Sequence, residues 1–280
     1  MDCLTDPEDN VRAALEAGLA GITFTEHFDL HPHERAGCIY RHDEYSQQIR
    51  RLQREYSSHL RIGLGIEVGY FDGGLDGIAA FLVDKAFDLV ILSFHYVDDR
   101  PLHLPAGWAG LDAATGMRRY LQGVADGLET CAQSPYRGLF DVLGHLDLAK
   151  RYSHRMFGVV AMEECADLVD RILSRCLEAA IVPEINTSTI RQGVGDAMPG
   201  VAVVRRYAEL GGRAMSLGSD AHRATDIGAD FDQAAAMLID AGLEQAVFQS
   251  RHAHYRPVPG RTLQGGPAQG IEPSRTEGRG

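Results

Sequence analysis

Short apolar runs rich in β-branched residues recur along the chain at Gly21–Thr25, Ile62–Ile66, Leu89–Ser93, Phe140–Leu143, Ile181–Ile185 and Ala214–Leu217. Each has the length of a strand rather than of a helix. Between them apolar residues recur with helical spacing. Val11, Ala14, Leu15 and Leu19 form one stripe, and Met117, Leu121, Val124 and Leu128 another. Val169, Ile172, Leu173 and Cys176 form a third, and Phe231, Ala234, Leu238 and Ile239 a fourth. Asp6–Pro7–Glu8 reads as a helix start, with an N-cap, a proline at the first helical position and an acid in the first turn. Strands alternating with helices predict parallel pairing through right-handed crossovers, and near-continuous apolar strands predict a sheet covered on both faces. Six such strands without an internal linker suit an α/β barrel or a doubly wound sheet, with one domain expected over residues 1–254. Residues 255–280 are crowded with Gly and Pro and are expected to form a disordered tail.

Nearly every strand-like run is followed at once by a residue able to bind a metal. These residues are His27, Glu67, His95, His145 with Asp147, Glu184, and Asp220 with His222. In a parallel barrel such positions converge on one face. A single His after a strand is more often a hydrogen-bonded loop residue than a ligand, and Glu67 alone could cap a helix. The repetition at one structural level carries the expectation of a shared site. Imidazole with carboxylate suits Zn, Mn or Fe far better than Ca. Several carboxylates suggest more than one ion, because a carboxylate can bridge, and such ions can activate water and stabilise the leaving oxygen of a phosphoester. His31, His33 and His42 lie in a polar segment and are expected in a substrate-side loop or in solvent. His59, His103, His154, His252 and His254 read as surface residues. Trp108 is expected to pack in a loop, and Met117, Met162 and Met237 to sit in the core.

Composition narrows the range of functions. The chain carries 27 Lys and Arg against 39 Asp and Glu, a net charge of −12. This argues against a partner held through its phosphate backbone, since that requires a basic stripe, but leaves a small anionic substrate open. The five cysteines, Cys3, Cys38, Cys131, Cys165 and Cys176, are odd in number and lack a CxxC pair, which fits a reducing, cytoplasmic compartment. No apolar run approaches the length of a membrane span, and the first ten residues carry neither the basic nor the apolar region of a signal peptide.

The segments Phe24–His27, Gly65–Val68, Ser93–His95, Gly144–Tyr152 (GHLDLAKRY), Glu184–Ser188 (EINTS) and Gly218–His222 (GSDAH) resemble the PHP (polymerase and histidinol phosphatase) superfamily, over about Asp6 to Val247. GSDAH is shared widely in that superfamily, whereas HLDLAKRY and EINTS point to its histidinol-phosphatase branch. The resemblance implies a distorted (β/α)7 TIM-like barrel with up to three divalent ions, Zn, Mn or Fe, at the C-terminal strand ends. It implies that Glu67 bridges two ions, that His95 and His145 complete one site, that Asp220 binds the other ion touching Glu67, and that His27 and His222 hold a third. Asp220, His222 and Glu67 would thus carry the chemistry. Arg151 and Arg191, with Arg223 as a weaker candidate, match positions suited to a substrate phosphate. The family also opens with a strand ending in His-x-His, and this chain has no His before His27. The resemblance therefore implies that the first strand is lacking, that the natural protein is longer or binds fewer ions, and that open sheet edges favour association of copies.

The expected activity is hydrolysis of L-histidinol phosphate in histidine biosynthesis, with water, Asp147 or Glu26 as the candidate proton donor to the leaving group. The alternatives are a PHP phosphoesterase acting on nucleotides, and a non-catalytic PHP remnant. The expected partner is a small phosphorylated substrate, with neither nucleic acid nor membrane.

Overall fold

The computed structural model describes residues 5–33, 40–133 and 135–258. Cys3 and Cys38, and the tail from residue 259, lie outside the described residues. Helix α1 (Pro7–Glu16) begins where the sequence predicts, with the Asp6 carboxylate accepting from the Glu8 backbone N–H at 2.8 Å. It leads into β1 (Gly21–Asp29), and α2 (His42–Glu55) leads into β2 (Arg61–Gly69). Then follow α3 (Leu75–Leu82), β3 (Leu89–Ser93), the hairpin β4 (Tyr96–Val97) and β5 (Arg100–Pro101), and α4 (Ala113–Ala132). The second half runs β6 (Val142–Leu143), α5 (Ala149–Phe157), α6 (Ala166–Ala179), β7 (Val182–Asn186), α7 (Val201–Glu209), β8 (Ala214–Gly218), α8 (Phe231–Ala241), β9 (Glu244–Gln249) and β10 (His252–Arg256).

The main sheet has the order β1-β2-β3-β6-β7-β8-β9-β10. Pairing is parallel from β1 through β9, and β10 returns antiparallel. The sheet curls on itself. One inner layer is built from Ile91, Val142, Val182, Ala214, Ala246 and Phe248, drawn from five strands that face the same interior. The helices cover the outside, where Met117, Leu121, Val124 and Leu128 of α4 and Ile172, Leu173 and Cys176 of α6 are buried as their spacing predicts. Among the described residues no strand pairs with the free edge of β1, which is half-buried for almost its whole length although β2 beside it is buried. A cavity of about 310 Å3 separates Gly21–His27 of β1 from Ser216–His222 and from Gln245–Phe248 of β9. At the bottom the two ends of the sheet approach, where Arg61 Nη1 donates to Phe248 O at 3.1 Å.

Four sequence expectations are corrected. The sheet has two more strands than the six read from the sequence, because β9 and β10 carry few strong apolar residues and turn through Ser250 and Arg251, both at positive φ without glycine. That turn is held by distant groups: Ser250 N–H donates to Asp88 Oδ1 at 2.9 Å, and Arg251 Nε to Asp141 Oδ2 at 2.6 Å. The strand expected at Phe140–Leu143 is shorter, Val142–Leu143. The Asp141 backbone still bonds to its neighbours, its N–H donating to Val90 O and its O accepting the Val182 N–H at 2.9 Å each, and its carboxylate accepts the Val90 N–H at 2.8 Å. Ordered chain continues past residue 254, for β10 includes Tyr255 and Arg256 and Val258 is buried. His31 is buried rather than solvated, stacked on Tyr96 with centroids 3.8 Å apart and its Nε2 2.9 Å from Asp99 Oδ1.

Trp108 packs as expected, its Nε1 donating to Leu102 O at 2.9 Å. Cys131, Cys165 and Cys176 are buried free thiols, and burial pushes those of Cys131 and Cys176 up to about 12. No helix among the described residues is long and apolar enough to cross a membrane.

Candidate active site

The C-terminal ends of β1, β2, β3, β6 and β8 deliver His27, Glu67, His95, His145, Asp220 and His222 to one end of the sheet. Glu67, buried at the end of β2, is the hub. Its Oε1 lies 3.0 Å from His145 Nε2 and 3.2 Å from His95 Nε2, and its Oε2 lies 3.6 Å from His27 Nδ1. The ligand atoms of His27, Glu67 and His95 all fall within 4.8 Å of one another. The His222 ring stands 6.4 Å from that of His27.

Electrostatics follow from this crowding. Burial alone would push the Glu67 carboxyl up, but His27, His145 and His95 hold it well below the usual range. Burial would lower His95, yet Asp29 and Glu67 raise it well above an ordinary imidazole. For Asp220 burial is again opposed, chiefly by Arg151, and the carboxyl is held low. In Glu184 burial prevails and the carboxyl is raised.

The backbone is strained at two of these positions. His145 has φ 21° and Asp220 φ 49°, both non-glycine residues on the positive side. Such conformations cost about 1–3 kcal/mol each and persist where the surroundings over-determine them. At His145 the restraint is Glu184, whose Oε2 accepts the His145 backbone N–H at 3.0 Å and the Asn186 amide at 3.2 Å.

Two of the three expected arginines join the site. Arg151 Nη2 lies 2.7 Å from Asp220 Oδ2 and 2.6 Å from Ser188 Oγ. Arg191 Nη2 donates to Asp220 O at 2.8 Å, and its Nε is 3.5 Å from Asp226 Oδ2. Arg223 is not brought in. It is exposed at the start of a short 3-10 turn, and no side-chain hydrogen bond or ion pair holds it among the described residues.

One of the two candidate side-chain proton donors is also corrected. Asp147 is wholly buried against Lys150, with Oδ2 3.0 Å from Nζ, and does not face the site. Glu26 alternates with His27 along β1; its charge acts on Tyr40 and Tyr45, and it lines the same cavity as His27, Asp220 and His222.

The sequence reading passed over Asp29, and it named Glu184 only as metal-capable and Asn186 and Ser188 only as parts of the EINTS segment. The signal was the strand period: Asp29 follows His27 by two residues and Asn186 follows Glu184 by two, so each pair shares a face.

The model of the PHP domain matches residues 1–188. A Deinococcus radiodurans protein named "Probable histidinol-phosphatase" is 30% identical over 256 residues, covering 88% of this chain and 91% of that protein. The histidinol-phosphatase of Lactococcus lactis is 26% identical, covering 85% of this chain and 86% of that one. A crystal structure of the Lactococcus lactis histidinol phosphate phosphatase, complexed with zinc, L-histidinol and phosphate, superposes with a TM-score of 0.79 at 25% identity, over 90% of this chain and 94% of that chain. The chain belongs to the PHP domain family, within the branch whose members are named histidinol-phosphatases.

Proposed function

We propose that this protein is a metal-dependent phosphomonoesterase that hydrolyses L-histidinol phosphate to L-histidinol and phosphate, a step of histidine biosynthesis in the cytoplasm. The observation that carries the reading is Glu67 with imidazoles on both its oxygens, beside Asp220 and two arginines, at the C-terminal ends of parallel strands. The relative crystallised with zinc, L-histidinol and phosphate supports the same substrate class.

The residues fit divalent ions. The donors are imidazole nitrogen and carboxylate oxygen, the set preferred by Zn, Mn and Fe. The buried His145 Nδ1 has no hydrogen-bond partner among the described residues. Glu67 turns one oxygen to His95 and His145 and the other to His27, as a carboxylate shared between two ions would. His95 and His145 would hold one ion with Glu67, Asp220 would hold the second ion at Glu67, and His27 with His222 a further one. Bound ions of this kind supply a nucleophile at neutral pH and Lewis acidity toward the phosphoryl oxygens.

The remaining work belongs to the chain itself. Arg151 and Arg191 hold the phosphate. Arg151 Nε and Arg191 Nη1 are buried without a hydrogen-bond partner among the described residues, so each guanidinium retains a donor for an anion. Ser188 and Asp220 orient Arg151 while it does so. The P–O bond to the histidinol carbon chain breaks, and the departing oxygen takes its proton from water or from Glu26, which lines the cavity, since Asp147 is buried against Lys150.

The reading is tested by phosphate release from L-histidinol phosphate against a panel of nucleoside phosphates, with zinc or manganese supplied. Preference for histidinol phosphate is expected. Preference for a nucleotide would identify a different phosphoesterase, and inactivity with every substrate would refute the enzyme. Within the site, Asp220→Asn and His222→Ala are each expected to lower both metal content and activity, measured by elemental analysis and phosphate release. Arg151→Ala and Arg191→Ala should leave metal content intact and weaken substrate and phosphate binding. Each loss of a charge-assisted contact should cost about 1.5–3 kcal/mol in kcat/KM, roughly a ten- to hundredfold fall. Unchanged kinetics in both would remove the arginines from the site.

A further inference from the structure

Asp29 ends β1 and lies directly across the β1–β2 ladder from Gly69. Its carboxylate fills the space that a side chain on Gly69 would need: a Cβ there would overlap Asp29 Oδ1 outright and come within 2.7 Å of its Cγ. Gly69 does not adopt a positive φ, so what glycine supplies at this position is room rather than backbone freedom. The Asp29 side chain is 8% exposed. Burial of a carboxylate is costly unless it is partnered, and Asp29 finds its partners in the site. Oδ1 lies 3.4 Å from His95 Nδ1, and Oδ2 lies 3.7 Å from His27 Nδ1. The other end of the same His95 ring, Nε2, faces Glu67 Oε1 at 3.2 Å. An imidazole whose Nδ1–H is committed to a carboxylate keeps its Nε2 lone pair available and its ring plane fixed.

We propose that Asp29 is a positioning residue of the site: lodged in the notch opposite Gly69, it holds His95 as the Nδ1–H tautomer with Nε2 aimed at the Glu67 side, and so sets metal affinity without binding metal itself. Asp29 reaches Nδ1 of the His95 ring, the nitrogen opposite the one that faces Glu67. The pairing with Gly69 gives the proposal an unusual handle, because the carboxylate can be displaced without being mutated. The inference rests on the reading of this site as a metal centre.

The test is zinc affinity of the full chain, measured by competition with a chelator, for the wild type, Asp29→Asn, Asp29→Ala, Gly69→Ala and the Asp29→Ala/Gly69→Ala pair. Loss of such an outer carboxylate typically weakens metal binding by roughly 10- to 100-fold, and that fall is expected for each single variant. The pair should bind no more weakly than the weaker of its two single variants, because both changes break one contact. Saturating zinc should restore kcat with KM for L-histidinol phosphate unchanged, which a merely misfolded variant would not allow. Should Gly69→Ala fail to fold, Asp29→Asn, which preserves shape and removes charge, decides alone. Wild-type zinc affinity in both Asp29 variants would overturn the proposal while leaving the metal centre standing. A wild-type chain that takes up no zinc would overturn both.

Discussion

Glu67→Gln is expected to empty the site of metal and to lower phosphatase activity by roughly a thousandfold or more, in line with the several kcal/mol of transition-state stabilisation that bound ions contribute. The reason is geometric. Both oxygens of this buried carboxylate are in use, Oε1 toward His95 and His145 and Oε2 toward His27. An amide of the same shape keeps one acceptor and turns an N–H toward the other imidazoles, where it can neither bridge two cations nor balance their charge. The metal-free fold should also lose stability, because the three imidazoles hold this carboxyl low and an amide leaves them without their counter-charge. Metal analysis, phosphate release and a melting curve on one preparation separate these outcomes. A Glu67→Gln chain that retains metal and activity would mean that the ions lie elsewhere.

The largest effect on stability is expected from Lys150→Met. Lys150 is buried, and its Nζ joins three groups: Asp147 Oδ2 at 3.0 Å, Asp196 Oδ2 at 3.1 Å and Ala197 O at 2.7 Å. Burial would lower the Lys150 ammonium, but Asp147 and Asp196 raise it above the ordinary lysine range. Removing it leaves Asp147 wholly buried and unpaired, a loss of about 3–5 kcal/mol when one partner of a buried ion pair is deleted. Replacing both, as Asp147→Leu/Lys150→Met, should recover much of that loss. Urea unfolding of the three variants measures it, and equal stability of wild type and Lys150→Met would show that Asp147 is neutral in the folded chain. The change should also reach the site, because Lys150 adjoins Arg151 and ties α5 to the segment that carries Arg191 and Asp196. A raised KM in Lys150→Met is the expected sign.

The sequence by itself determined most of the parallel sheet and the ends of its strands. The runs at Leu89–Ser93 and Ala214–Leu217 are continuous and apolar because both faces of those strands are covered, and that pattern is local. The residues after them inherit their place from the strand, so His27, Glu67, His95, His145, Asp220 and His222 could be grouped before any coordinates. Helix starts such as Asp6–Pro7 were equally legible, because a cap satisfies backbone groups only two or three residues away.

Only the tertiary structure decided which charges meet. Arg151 and Asp220 are 69 residues apart in sequence, His95 and Asp29 are 66 apart, and nothing in either neighbourhood announces the pairing. The same holds for the β9–β10 hairpin, whose turn lacks the usual glycine and is held by Asp88 and Asp141 from the bottom of the sheet. It also holds for the role of Asp147, which reads as a site acid beside His145 but faces Lys150 instead. Periodicity reports which face of an element is buried, since that depends on neighbours along the chain. The partner a buried charge finds depends on register between strands and on the room a residue such as Gly69 leaves, and those are fixed only when the sheet closes over them.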